Sequence, residues 1–255
     1  MLNFKSIGNG KSVVFLHGFC ENLTIWDSYF LEPFSSDFNF ISIDLPGHGG
    51  SIKYNQVSTM VDIAELVIAT LNYLNVKEFI LIGHSLGGYV SIEIAKKIEE
   101  RVKGILFFHS SIFSDSEEKK INRNKVIEFV QENGVDKFVE TLIPNLFADE
   151  NIPLFTLQIN HLIRNASKTD KIGLINVVKA MRDRCDSSDW ISKVSFPVGF
   201  IIGKKDKAVP LDVSIKQVQV PSNSSALLLE NVGHMGMIED FNHTSKFLKY
   251  FITNF

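Results

Sequence analysis

Residues 78–88, EFILIGHSLGG, constrain this chain more than any other stretch. Phe79, Ile80, Leu81 and Ile82 form a short apolar run that reads as a buried strand. The run breaks at Gly83, and residues 89–100 continue with Val90, Ile94 and Ile98 at helical spacing. Between the two lies Gly83-His84-Ser85-Leu86-Gly87, a G-x-S-x-G. A sharp strand-to-helix turn strains the backbone of its central residue and lifts that side chain clear of the sheet. Flanking glycines let strand and helix approach each other. Ser85 is therefore expected at the carboxyl edge of a sheet and at a helix start, where amide dipoles favour developing negative charge.

The rest of the chain has to supply that sheet. With 255 residues, 45% hydrophobic and 22% charged, it suits one large soluble α/β domain with room for an insertion. A net charge of -3 gives no basic footprint for nucleic acid. The opening MLNFKSIGNGK lacks the apolar region of a signal peptide. No stretch approaches the ~18 apolar residues of a membrane span. The only cysteines, Cys20 and Cys185, suit a reducing compartment. The expectation is a cytoplasmic protein, monomer or homodimer.

Read in order, strands are expected over residues 2–7, 12–16, 38–43, 79–82, 104–109, 197–202 and 226–229. Helices are expected over residues 26–34, from a cap at Ser58 to 74, and over 89–100, 211–219 and 240–251. Residues 114–183 break this rhythm. They carry helical patterns over 117–132, 136–147, 151–164 and 169–184, punctuated by Gly134, Pro144 and Pro153, and no convincing strand. Alternating strands and helices argue for a mostly parallel sheet of about seven strands, helices on both faces, with a helical insertion between two strands. The expected division is a core of residues 1–113 and 184–255, and an insertion of residues 114–183.

Chemistry in such a sheet collects at the carboxyl ends of strands. Four such ends carry His17-Gly18-Phe19, Ser85, Asp206 and His234. A serine hydroxyl is a poor nucleophile at neutral pH. It needs a base within hydrogen-bond reach, and the base needs an acid to fix its tautomer. Ser85, His234 and Asp206 supply one of each, and the amides of Leu86 and Phe19 would hold the oxyanion. Asp115 is a weaker candidate for the acid. His17 is expected to order the oxyanion loop and His84 to sit under the elbow. Asp44 and Ser51 are expected to hold their loop in shape. His48, His109, His161 and His243 read as structural or exposed. No Cys/His grouping has metal spacing, and Gly47-His48-Gly49-Gly50 lacks the Lys-Ser/Thr of a phosphate loop.

These motifs together resemble the α/β-hydrolase superfamily, in its lidded single-domain serine hydrolase or esterase form. The likeness rests on VVFLHGF at residues 13–19, DLPGHGGS at 44–51, GHSLGG at 83–88, GKKDKAVP at 203–210 and GHM at 233–235. Asp206, before a Val-Pro, and His234, inside a Gly-His, match the family's acid and base. Residues 114–183 match the position of its lid, between the family's sixth and seventh strands. The resemblance implies an acyl-transfer hydrolase with no cofactor or metal. Two departures stand out: the leading hairpin is short enough to be a single strand, and His17-Gly18-Phe19-Cys20 is not a glycine run.

Phe19, Cys20, Leu86 and Met235 are expected on the pocket floor. Phe129, Phe138 and Phe147 of the lid either roof an acyl pocket or pack one lid helix on another. Three readings follow. The first is a hydrolase of a small carboxylic ester or thioester. The second is a C–C bond hydrolase or a lyase using the same triad on a carboxylate-bearing substrate held by Arg123, Arg164, Arg182 or Arg184. The third is a slow-turnover ligand receptor. Dehalogenase and epoxide hydrolase chemistry would need a carboxylate where Ser85 stands.

Overall fold

The run FILIGH folds as β4 (Phe79–His84), with all six residues buried. A strand buried on both faces belongs in the middle of a helix-covered sheet, and the computed structural model, which describes residues 1–254, puts it there. The other strands are β1 (Phe4–Ile7), β2 (Lys11–Leu16), β3 (Phe38–Ile43), β5 (Val102–Phe108), β6 (Val198–Gly203) and β7 (Ser224–Leu229). Their order across the sheet is β1-β3-β2-β4-β5-β6-β7. Every neighbouring pair is parallel except β1 with β3. β1 stands alone where the resemblance implied a hairpin. The chain steps from β2 outward to β3 and then back past β2 to β4. That reversal opens a crevice above the ends of β2 and β4, where doubly wound sheets bind ligands.

The phenylalanines form much of the core. Phe15, Phe40, Phe79, Phe107, Phe108, Phe200 and Phe251 are fully buried, each contributing on the order of 1.5–3 kcal/mol by leaving water. Phe15 and Phe40 meet edge-on at 5.0 Å, and Phe107 stacks on Phe200 at 5.4 Å.

Element boundaries shift where local chemistry overrides periodicity. The helix expected over residues 26–34 is a single turn, Asp27–Phe30, between two 3-10 turns. Pro33 forces Glu32 to an extended ψ of 141°, which ends it. The helix Met60–Tyr73 is capped by Thr59, not Ser58, because Thr59 and Asp62 form a reciprocal capping box. The elbow helix, Leu86–Lys97, starts directly after Ser85.

Between β5 and β6 the described residues hold helices and no strand. Helix Glu117–Leu142 breaks at Gly134, whose φ of 85° suits glycine. Helices Thr156–Ala166 and Lys171–Arg182 follow. The expected helix over 151–164 begins later because residues 144–151 form two 3-10 turns. Asp115 and Arg184, at the two ends of this segment, meet at 2.8 Å, and Arg123 reaches Asp115 at 3.1 Å. Arg184 also lies 3.9 Å over the Tyr89 ring of the elbow helix. No described helix is long and apolar enough to cross a membrane.

Candidate active site

Ser85 has φ 47° and ψ -111°, a conformation non-glycine residues avoid. The neighbouring structure holds it there. Its N–H donates to Phe108 O at 3.0 Å, and its carbonyl accepts from Gly88 N at 2.9 Å and from Ser110 Oγ at 2.6 Å. Gly87 has to be glycine, since a Cβ there would run into Leu16 O of β2. Ser85 is half-buried at the start of the elbow helix.

The loop after β7 brings in His234, which is 3% exposed. Its Nδ1 donates to Asp206 Oδ2 at 2.7 Å. Asp206 follows β6, and its Oδ1 accepts from the Ala208 and Val209 amides at 2.8 and 2.9 Å. Burial alone would raise the Asp206 pKa. The facing His234 and His109 rings outweigh it and hold the carboxyl well below the usual range. Asp115 is not beside His234: it is occupied by Arg123 and Arg184, so of the two candidate acids only Asp206 reaches the imidazole. No Ser85 Oγ–His234 hydrogen bond is present among the described residues; such contacts commonly tighten only around substrate.

Facing this, the loop after β2 carries Phe19. The amides of Phe19 and Leu86 donate to no acceptor among the described residues. His17 does order the loop: its Nδ1 donates to Gly18 O at 2.8 Å, and its Nε2 accepts from Leu45 N at 2.8 Å. Asp44 also ties loops together, accepting from Leu23, Gly50 and Asn3 at 2.6–2.7 Å. Cys20 is buried, and burial pushes its thiol pKa well up, so it does not offer a competing thiolate.

Three residues at the site had no sequence signal strong enough to single them out. Glu21 meets His84 at 2.9 Å and accepts from Gly18 N at 2.7 Å. His109, read as structural or exposed, is buried 3.5 Å from Asp206. Glu239 fastens the loop that carries His234: its Oε1 accepts from the Gly233 and Met235 amides, and its Oε2 accepts from Ala148 N and Asn151 Nδ2. Leu146 O accepts the His234 N–H at 2.6 Å, so residues 146–151 and the His234 loop are stitched together.

His109, Asp206 and His234 place polar atoms within 4.8 Å of one another, the spacing of a metal site. Gly236 N donates to His109 Nε2, which puts the His109 proton on Nδ1. His234 Nδ1 then donates to Asp206, while the His109 Nδ1 proton lies 3.5 Å from the same carboxylate with no hydrogen-bond partner among the described residues, and a cation would have to displace both protons.

Of the remaining pocket candidates, Phe138 reaches the Phe19 ring at 6.1 Å, with Phe129 behind it at 6.5 Å. Met235 is buried beside His234. Phe147 is fully buried against Phe155. A cleft of about 360 Å³ opens between Cys20, Ile25 and Ile238 on one side and Leu157, His161 and Leu162 on the other. A larger cavity, about 650 Å³, lies at the opposite edge of the sheet by Lys11, Phe79 and Lys103, far from these groups.

The family described as "alpha/beta hydrolase fold" matches residues 11–241. This chain belongs to the α/β-hydrolase family. It is 27% identical over 263 residues to the pimeloyl-[acyl-carrier protein] methyl ester esterase of Wigglesworthia glossinidia brevipalpis, covering 99% of this chain and 98% of that one. It is 26% identical over 218 residues to the 2-succinyl-6-hydroxy-2,4-cyclohexadiene-1-carboxylate synthase of Klebsiella pneumoniae strain 342, covering 79% and 81%. Among solved structures, a thermophilic esterase from Thermogutta terrifontis matches with a TM-score of 0.92 at 26% identity, covering 99% and 93%.

Proposed function

We propose that this protein is a serine hydrolase that cleaves a small carboxylic ester or thioester through an acyl-enzyme. Ser85 Oγ attacks the carbonyl carbon. His234 Nε2 takes the serine proton and returns it to the leaving group, while Asp206 keeps the other imidazole proton on Nδ1. The Phe19 and Leu86 amides donate to the oxyanion. Water, activated by His234, then releases the acid. Residues 114–183 act as the lid over a core of residues 1–113 and 184–255, with Phe138 roofing the site beside Phe19. The observation that carries this reading is the 2.7 Å Asp206–His234 hydrogen bond, at the strand ends where Ser85 is raised on its left-handed backbone.

Esterase-named relatives support ester chemistry. The carboxylate-directed alternative asks for a free arginine on the lid: Arg123 and Arg184 are paired with Asp115, and Arg182 with Asp183, which leaves exposed Arg164 of helix Thr156–Ala166 as the residue that reading would use. The test is hydrolysis of p-nitrophenyl esters of increasing acyl length, wild type beside Ser85→Ala. Turnover that depends on Ser85 is expected, and the length profile sizes the pocket. A folded wild type that turns over none of the series would overturn the ester reading.

A further inference from the structure

Five buried histidines crowd the strand ends: His17, His48, His84, His109 and His234. What each ring nitrogen faces sets its protonation, because a nitrogen that accepts a hydrogen bond carries no proton. His17 Nε2 accepts from Leu45 N, His48 Nε2 from Cys20 N, and His109 Nε2 from Gly236 N. Each of these rings is therefore neutral, with its proton on Nδ1. Their burial agrees, pushing His48 and His109 down to about 4.

His84 is different. Its Nδ1 faces Glu21 Oε2 at 2.9 Å, and its Nε2 faces the His234 carbonyl oxygen at 3.0 Å. The carbonyl oxygen can only accept, and so can Glu21 once ionised, the state its lowered pKa favours. A neutral ring would set a lone pair against an oxygen in a site from which water is excluded, so both nitrogens hold protons. Burial alone would lower the His84 pKa, and Glu21 more than reverses it. The same carboxylate oxygen accepts the Gly18 amide at 2.7 Å. One pair thus touches three loops: the segment that presents Phe19 N, the elbow that presents Ser85, and the base loop that presents His234.

We propose that Glu21 and His84 form an ion pair that positions the oxyanion donor, the nucleophile and the base relative to one another. They are positioning residues, since neither reaches the reacting atoms. Their effect on rate rests on the serine hydrolase reading above; their charge state does not. The other titratable groups facing His84 are His17 at the end of β2, His109 at 6.2 Å after β5, His234 at 4.9 Å after β7, and Asp206 after β6. Only Glu21 meets a ring nitrogen.

The first experiment needs no destabilising variant. Two-bond ¹H–¹⁵N spectra of ¹⁵N-histidine-labelled wild type are recorded from pH 5.5 to 9. His161→Gln and His243→Gln remove the signals of the two exposed rings. One buried ring with the imidazolium pattern at pH 7.5, beside buried neutral ones, is the expected result. Finding every buried ring neutral at that pH overturns the ion pair, whatever the protein hydrolyses. The second experiment is Glu21→Gln with the best p-nitrophenyl ester. Expected is a fall in kcat of about tenfold to a hundredfold with KM within about twofold, and an alkaline limb of the pH–rate profile displaced to lower pH. A folded Glu21→Gln variant whose kcat and pH profile superimpose on wild type would overturn the positioning role. Loss of Ser85 dependence would instead remove the hydrolase reading and leave the spectra standing.

Discussion

Asp206 and His234 meet at 2.7 Å, and Glu21 and His84 at 2.9 Å, with all four side chains at most 3% exposed. Both carboxylates also accept backbone amides, from Ala208 and Val209 in one case and Gly18 in the other. The two pairs differ at the far nitrogen of the imidazole. His84 Nε2 is filled by a carbonyl oxygen, so that ring keeps both protons and has no open nitrogen with which to accept another. His234 Nε2 has no partner among the described residues. A buried acid–histidine pair can serve as a base only where that outer nitrogen is left open, and otherwise it works as a bracket.

The comparison can be broken at several points. The largest effect is expected from Ser85→Ala, which should lower kcat by about 10⁴-fold or more while thermal unfolding stays near wild type. Residual activity at wild-type level would remove Ser85 from the chemistry. Asp206→Asn comes next. An amide in that place favours the wrong His234 tautomer, and kcat should drop by roughly 10³- to 10⁴-fold, measured with the same ester.

On the bracket side the first response is stability. Glu21→Ala leaves His84 buried without its counter-charge and should cost about 3–5 kcal/mol in denaturant unfolding. Its pH dependence has a definite sign. The lowered Glu21 pKa gives stability that is complete above the ordinary value of 4.5 and lost as pH falls through the lowered one. The raised His84 pKa gives stability that is complete below 6.5 and lost as pH rises through the raised one. The gap between wild type and Glu21→Gln should therefore narrow in alkaline solution. The smallest effect on rate is expected from Asp115→Asn. It weakens the contact that joins the two ends of the insertion, costing about 1–3 kcal/mol, with kcat within about twofold of wild type. A damaging effect on kcat here, with Asp206→Asn harmless, would reverse the assignment of the acid.

The strand-end positions of Ser85, Asp206 and His234 were legible because each lies in a short local pattern, a strand followed by glycine or by Val-Pro. Gly134 was legible as a helix break for the same reason. The Glu21–His84 pair was not, since its members stand 63 residues apart. Nothing near Glu21 in sequence distinguishes a buried carboxylate from a surface one. Glu239 was hidden likewise, because its four partners are backbone amides and an asparagine on two other segments. His109 ends an apolar strand, where a structural histidine is equally at home; only the sheet order β5-β6 brings it to Asp206.

The bond from His234 N to Leu146 O, with Glu239 bridging the same two segments, bears on how this protein could be re-engineered. Exchanging residues 114–183 wholesale for those of another hydrolase would keep a backbone carbonyl there but lose the local path of residues 144–151 that aims it at His234 N. A chimera that keeps residues 144–151 native retains the His234 anchor and leaves the helices on either side free to vary for new acyl groups.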